Sequence, residues 1–104
     1  MKPYSEITKS KSDSRQYKCI ELDNKLRCLL VYDDEADKSC AAMTVHVGSA
    51  LDPKPLYGVA HFLEHMLFMG TTKYPSENDY SEFVSNHGGY ENAFTSMTDT
   101  NFHF

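Results

Sequence analysis

Gly58-Val59-Ala60-His61-Phe62-Leu63-Glu64-His65-Met66-Leu67-Phe68-Met69-Gly70 is the stretch against which the rest of this 104-residue chain is read. On a helix of about 3.6 residues per turn, His61 and His65 stack on one face and Glu64 projects beside them. Two imidazoles so placed can reach one ion. Val59, Ala60, Phe62, Leu63, Met66, Leu67, Phe68 and Met69 make the segment apolar almost all round, the pattern of a helix buried on most sides. Three titratable side chains in such a helix are costly unless something satisfies them. Zinc would do so, because it takes neutral imidazole nitrogens and leaves an open position whose water a carboxylate can act on. The alternative is a core helix whose histidines are held by hydrogen bonds to neighbours and whose Glu64 pairs with a base elsewhere.

Working outward, Gly48 to Pro55 breaks the preceding strand, and its two prolines bar a helix until past Pro55. The motif helix is therefore expected to start around Leu56 to Gly58 and to stop at Gly70, a fitting C′ residue. Cys40 to Gly48 alternates, with Ala41, Met43, Val45 and Val47 on one side and Ala42, Thr44 and His46 on the other, as in a half-buried strand. His46 should thus point away from that apolar side. Further back, Tyr17 to Leu22 and Leu26 to Tyr32 flank Asp23-Asn24-Lys25, which reads as a hairpin. Residues 1–16 are Ser-, Lys- and Asp-rich and read as a flexible lead-in to one domain over 17–104, and Asp33 to Lys38 reads as a solvated loop.

Downstream, Ser76-Glu77-Asn78-Asp79 gives a capping signal, and Tyr80, Phe83, Val84 and His87 recur at helical spacing up to Gly88-Gly89. His87 is assigned to that helix's packed face or C-terminus rather than to the metal. Tyr90 to Met97 reads as a strand, and Asn101 to Phe104 begins another with Phe102 and Phe104 on one face. The fold class is α+β: a mixed, mostly antiparallel sheet of about five strands, with the zinc-motif helix and the second helix packed on one side.

The formal charge of −5 and pI near 5.4 come from ten scattered Lys and Arg against fifteen acids, so nucleic acid and anionic membranes are excluded as partners. No apolar run reaches the roughly 18 residues of a membrane span, and the N-terminus lacks a signal peptide's apolar core, giving a cytoplasmic default. Cys19, Cys28 and Cys40 form no Cys-x-x-Cys and are read as three buried thiols in strands rather than as disulfides or a thiolate metal site.

His-x-x-Glu-His at 61–65 is the inverzincin signature, the reverse of the commoner His-Glu-x-x-His. Around it stand D-K-S-C-A-A-M-T-V-H-V-G-S-A-L-D-P (37–53), H-F-L-E-H-M-L-F-M-G (61–70), K-Y-P-S-E-N-D-Y-S-E-F (73–83) and N-A-F-T-S (92–96). On these residues the chain, from about Tyr17 onward, resembles the insulysin-like branch of the pitrilysin-type (insulinase) inverzincin zinc metallopeptidases. The nardilysin-like branch carries a long acidic insertion ahead of the zinc helix, where this chain has only the short Asp33 to Asp37 loop.

That resemblance implies a zinc-dependent endopeptidase with His61 and His65 as metal ligands and Glu64 as the general base. It also implies peptide substrates added as a strand along Asn92-Ala93-Phe94-Thr95, with Phe94 either a pocket wall or a core aromatic. The family's third ligand, a glutamate on a later helix, is expected past Phe104, since Glu77, Glu82, Glu91 and Asp99 do not match it. The chain is accordingly expected to be the N-terminal part of a catalytic domain, inactive alone. It would lack the second half of a closed chamber and form a homodimer only in the full-length form. Two other readings stand beside this one: a non-catalytic peptide- or partner-binding module with a partial metal site, and an α/β domain whose His and Glu are ordinary core residues. Without further covering elements, Phe102 and Phe104 are expected to be exposed and the isolated chain marginally stable or prone to aggregate.

Overall fold

The computed structural model describes residues 2–3 and 7–104, so Met1 and residues 4–6 of the expected lead-in lie outside the described residues. The chain divides into two compact units, Met1–Ser39 and Cys40–Phe104.

In the first unit, β1 (Lys2–Pro3), β2 (Gln16–Glu21) and β3 (Arg27–Tyr32) form an antiparallel sheet in that order. The β2–β3 hairpin runs in register from Gln16↔Tyr32 to Glu21↔Arg27, as the sequence predicts. Its turn is built by the Asx chemistry expected of Asp23-Asn24-Lys25: Leu26 N–H donates to Asn24 Oδ1 at 3.2 Å, and Lys25 takes a left-handed φ of 71°. Ile20 is the one buried apolar residue among the described residues.

The second unit contains β4 (Ala42–Val45), a 3-10 turn (Ser49–Leu51), α1 (Val59–Met66), α2 (Asp79–Asn86), β5 (Asn92–Thr95) and β6 (Thr100–His103). Its sheet is antiparallel in the order β4-β6-β5, with β6 central and rungs Val45↔Thr100↔Thr95 and Met43↔Phe102↔Ala93. The α+β class therefore holds. The single sheet of about five strands does not: among the described residues there are two three-stranded antiparallel sheets, one in each unit. Period-2 patterning fixes which face a side chain takes but not which strand lies alongside.

Gly48 follows β4 at the point where the chain crosses the β5–β6 turn. Ser49 N–H donates to Ser96 O and Ala50 N–H to Met97 O, both at 2.9 Å. A Cβ on residue 48 would lie 2.3 Å from Ser96 O, so only glycine permits this approach.

α1 is shorter than its apolar run. After Met66 the chain tightens, with Phe68 and Met69 N–H bonded to His65 and Met66 carbonyls, and it ends at Gly70 with φ of 60°. Its N-cap, Gly58, has φ of 93° and no side chain to offer. Asp52 supplies the cap instead: Oδ2 accepts from Gly58 N–H at 2.6 Å and Oδ1 from Ala60 N–H at 2.9 Å. The Ser76 capping signal is not realised, for α2 begins at Asp79 after Asn78, with no side-chain cap bond. Asp79 and Glu82 in its first turn still oppose the positive end of the helix dipole. His87 sits at its C-cap, donating from Nδ1 to Phe83 O at 2.6 Å, at the helix C-terminus where the sequence puts it.

The expected enclosure of α1 is reversed. Phe62 is 67% exposed and Leu67 61%, whereas Glu64 is only 7% exposed, because the helix lies across β5 and β6 on its carboxylate face. An apolar pattern states what a helix could bury, not what stands against it. Phe68 joins Tyr80 of α2 and Phe102 of β6 at ring-centroid distances of 6.0 and 6.3 Å, leaving Phe102 half-buried and Phe104 exposed. The three thiols are free, but none is fully buried: Cys19 and Cys28 are half-buried in strands, and Cys40 is exposed just before β4. Among the described residues no helix is long and apolar enough to cross a membrane.

Candidate active site

One turn of α1 places His61 above His65, and their Nε2 atoms lie 3.0 Å apart, with ring centroids at 4.7 Å. Both rings are exposed. Two nitrogens bonded to one tetrahedral zinc at ordinary Zn–N lengths would be about 3.3 to 3.4 Å apart, so this pair is close to the spacing that the ion requires. The same approach also suits a hydrogen bond between one protonated and one unprotonated Nε2. The donor set fits zinc as two of its ligands. A third is not supplied here: among the described residues, no three or more His, Cys, Asp or Glu are grouped to share an ion.

Glu64, on the turn between the histidines, faces the sheet. Its Oε2 accepts the Thr95 hydroxyl at 2.5 Å, which ties α1 to β5. β5 is an edge strand, and its side chains alternate: Ala93 and Thr95 are half-buried, while Asn92 and Phe94 are exposed. Phe94, at 54% exposure, is not a core aromatic. All four residues of the expected peptide edge therefore lie on one free strand beside the motif helix, but two of them look toward the protein and two toward solvent.

The other polar clusters of this unit are separate. His46, just past β4, bonds through Nδ1 to Asp99 Oδ1 at 2.6 Å, while Thr98 donates to Asp99 Oδ2 at 2.6 Å. The Thr98 hydroxyl, followed by His46, holds the Asp99 carboxyl below the usual carboxylate range. His103 Nδ1 bonds to Asn101 Oδ1 at 3.0 Å.

Two contributors escape a reading of sequence alone. Asp52 sits six residues before the N-cap, beyond the local window in which capping is recognised, and only the fold of the Pro53–Pro55 loop brings it back to the helix end. The side-chain role of Thr95 follows from register, because a shift of one residue would turn Phe94 toward Glu64.

The family model described as Insulinase (Peptidase family M16) matches residues 27–104. The chain is 54% identical over 98 residues to insulin-degrading enzyme of Homo sapiens, covering 94% of this chain and 10% of that protein. It is 50% identical over 99 residues to insulin-degrading enzyme-like 1, peroxisomal, of Arabidopsis thaliana, covering 95% and 10%. Among solved structures, the crystal structure of pitrilysin superposes with a TM-score of 0.87 at 47% identity, covering 98% of this chain and 11% of that one. The chain thus spans about one tenth of the length of the curated relatives it matches.

Proposed function

Since the chain belongs to the insulinase family of peptidases (M16), we propose that it forms part of a zinc-dependent, insulysin-like endopeptidase that hydrolyses peptides. The observation that carries this reading is the convergence of His61 and His65 Nε2, 3.0 Å apart, on the helix that buries Glu64. His61 and His65 would hold the ion, and the third ligand is assigned to a glutamate outside the described residues. When bound, zinc supplies Lewis acidity, bringing the pKa of a water to about 7 and polarising the scissile carbonyl. Glu64 takes the proton of the attacking water and passes it to the leaving amine. The peptide lies as an added strand along Asn92-Ala93-Phe94-Thr95, where main-chain hydrogen bonds give sequence-tolerant affinity and the exposed Asn92 and Phe94 meet its side chains. The completing half of the chamber and the homodimer of the full-length form belong to the same proposal. The three free thiols suit a reducing compartment, here the cytosol.

In the protein that carries this sequence, Glu64→Gln should lower peptide hydrolysis about 10²- to 10⁴-fold while zinc stays bound. Undiminished turnover would refute the assignment.

A second reading is a peptide-binding module, and it is favoured by the β5 edge, along which an extended peptide can add as a strand. Assay of the protein that carries this sequence separates the two: tight one-to-one zinc binding with peptidase activity excludes the module, whereas peptide capture with weak zinc binding and no cleavage supports it.

A further inference from the structure

We propose that Thr95 is a positioning residue for Glu64, its hydroxyl fixing one carboxylate oxygen so that the other is the proton acceptor. This rests on the peptidase reading above and adds to it a side-chain role for Thr95, which lies outside the His-x-x-Glu-His motif. The Thr95 hydroxyl donates to Glu64 Oε2 at 2.5 Å, and that bond occupies one of the two oxygens of a carboxylate that is 7% exposed. Oε1 is the oxygen left for the water. Of the two β5 residues that face inward, Ala93 has no donor, so Thr95 alone on this strand can perform the task.

Thr95 is also well placed to hold a fixed geometry. It is β-branched and therefore stiff at χ1. Its strand is locked by register to Thr100, which is itself buried and donates its hydroxyl to Val47 O at 2.8 Å. The rung Val45↔Thr100↔Thr95 thus passes from one edge of the sheet to the other and ends on Glu64. A carboxylate on a helix of only eight residues would otherwise be free to turn about its terminal torsion. The strand that would receive the peptide backbone and the base that would act on it are in this way set relative to each other by one hydroxyl.

The experiment compares Thr95→Val, Thr95→Ser and Glu64→Gln in the protein that carries this chain, measuring kcat, KM and bound zinc. Thr95→Val should lower kcat about 10- to 100-fold, with KM within about twofold and zinc content unchanged. Thr95→Ser should recover most of the loss, because it keeps the hydroxyl. Thr95→Ala, which adds no bulk, carries the same expectation as valine should that variant not fold. A second readout is independent of turnover: the drop in urea midpoint caused by Thr95→Val should shrink in a Glu64→Ala background, where the hydroxyl has lost its acceptor. Four results overturn the proposal alone: full kcat in Thr95→Val while Glu64→Gln is inactive, a rise in KM without loss of kcat, no recovery with serine, or additive midpoints. Undiminished turnover in Glu64→Gln overturns the peptidase reading beneath it.

Discussion

Asp52→Ala removes both acceptors that hold the first turn of α1, the 2.6 Å bond from Gly58 N–H and the 2.9 Å bond from Ala60 N–H. Hydrogen bonds to a charged group contribute about 1.5–3 kcal/mol each when well sheltered. Asp52 is only half-buried, so water recovers part of the loss, and N-cap replacements elsewhere cost about 0.5–2 kcal/mol. Gly58 offers no side chain to take over. A loss of about 2 kcal/mol is therefore expected for alanine. Asparagine keeps one acceptor oxygen but loses the charge facing the helix N-terminus, which is worth about 0.3–1 kcal/mol, and should lose about half as much. In the protein that carries this sequence, the alanine variant should lower the urea midpoint of the transition that melts α1 by about 1–2 M, for an m-value of about 1–2 kcal/mol per molar. The same turn carries His61, directly after Ala60. If the frayed turn must reform to bind zinc, affinity should fall by up to about 30-fold, the factor equivalent to 2 kcal/mol. Circular dichroism during urea titration and competition with a chromophoric chelator measure the two effects. A midpoint within about 0.3 M of the parent would refute the capping role.

Two further outcomes follow from the structure. The Asp99 carboxyl is held below its ordinary pKa by the Thr98 hydroxyl and then by His46, so it adds stability above its unfolded value and loses it as pH falls through the lower folded value. The melting temperature should accordingly fall below about pH 4, and Thr98→Val should weaken that dependence; an identical pH profile in the variant would refute it. The 104-residue chain leaves Phe62, Leu67, Phe83 and Phe104 exposed, so it should bind an apolar dye and scatter light at micromolar concentration. A monomer with a high, cooperative unfolding midpoint would contradict that.

The existence and type of the elements in this chain were legible because their signals are local. The two helices, β3, β4 and β5 fall within the segments that periodicity and turn residues mark, and β2 and β6 each begin one residue earlier than expected, at Gln16 and Thr100. The juxtaposition of His61 and His65 follows from helical spacing alone. What was not legible depends on elements meeting. Pattern could not say that the strands would separate into two sheets, since either flank of β6 offers the same hydrogen-bonding groups. Nor could it say that the greasy helix would expose Phe62 and cover Glu64, because apolarity states a preference and the sheet decides which face is met. The Ser76 signal failed for the opposite reason: it is a purely local motif, and the chain begins its helix three residues later. Cys40 was misread as buried because the alternating pattern beginning there outlasts the strand, which starts at Ala42.

The central place of β6 has a consequence for the order in which the chain can acquire its structure. Of the three strands described in its sheet β6 comes last in sequence, yet both of the others pair with it and not with each other. The β5–β6 pairing closes a short loop, whereas Ala42↔His103 joins residues 61 positions apart, a slow closure in any chain. Until residues 100–103 are available, β4 lacks its β6 partner, and α1 lacks the second strand it rests on. The histidine pair can form on an isolated helical turn, but Glu64 acquires its fixed setting only afterward. Within this stretch, the sheet that underlies Glu64 therefore closes only when its most C-terminal strand is available.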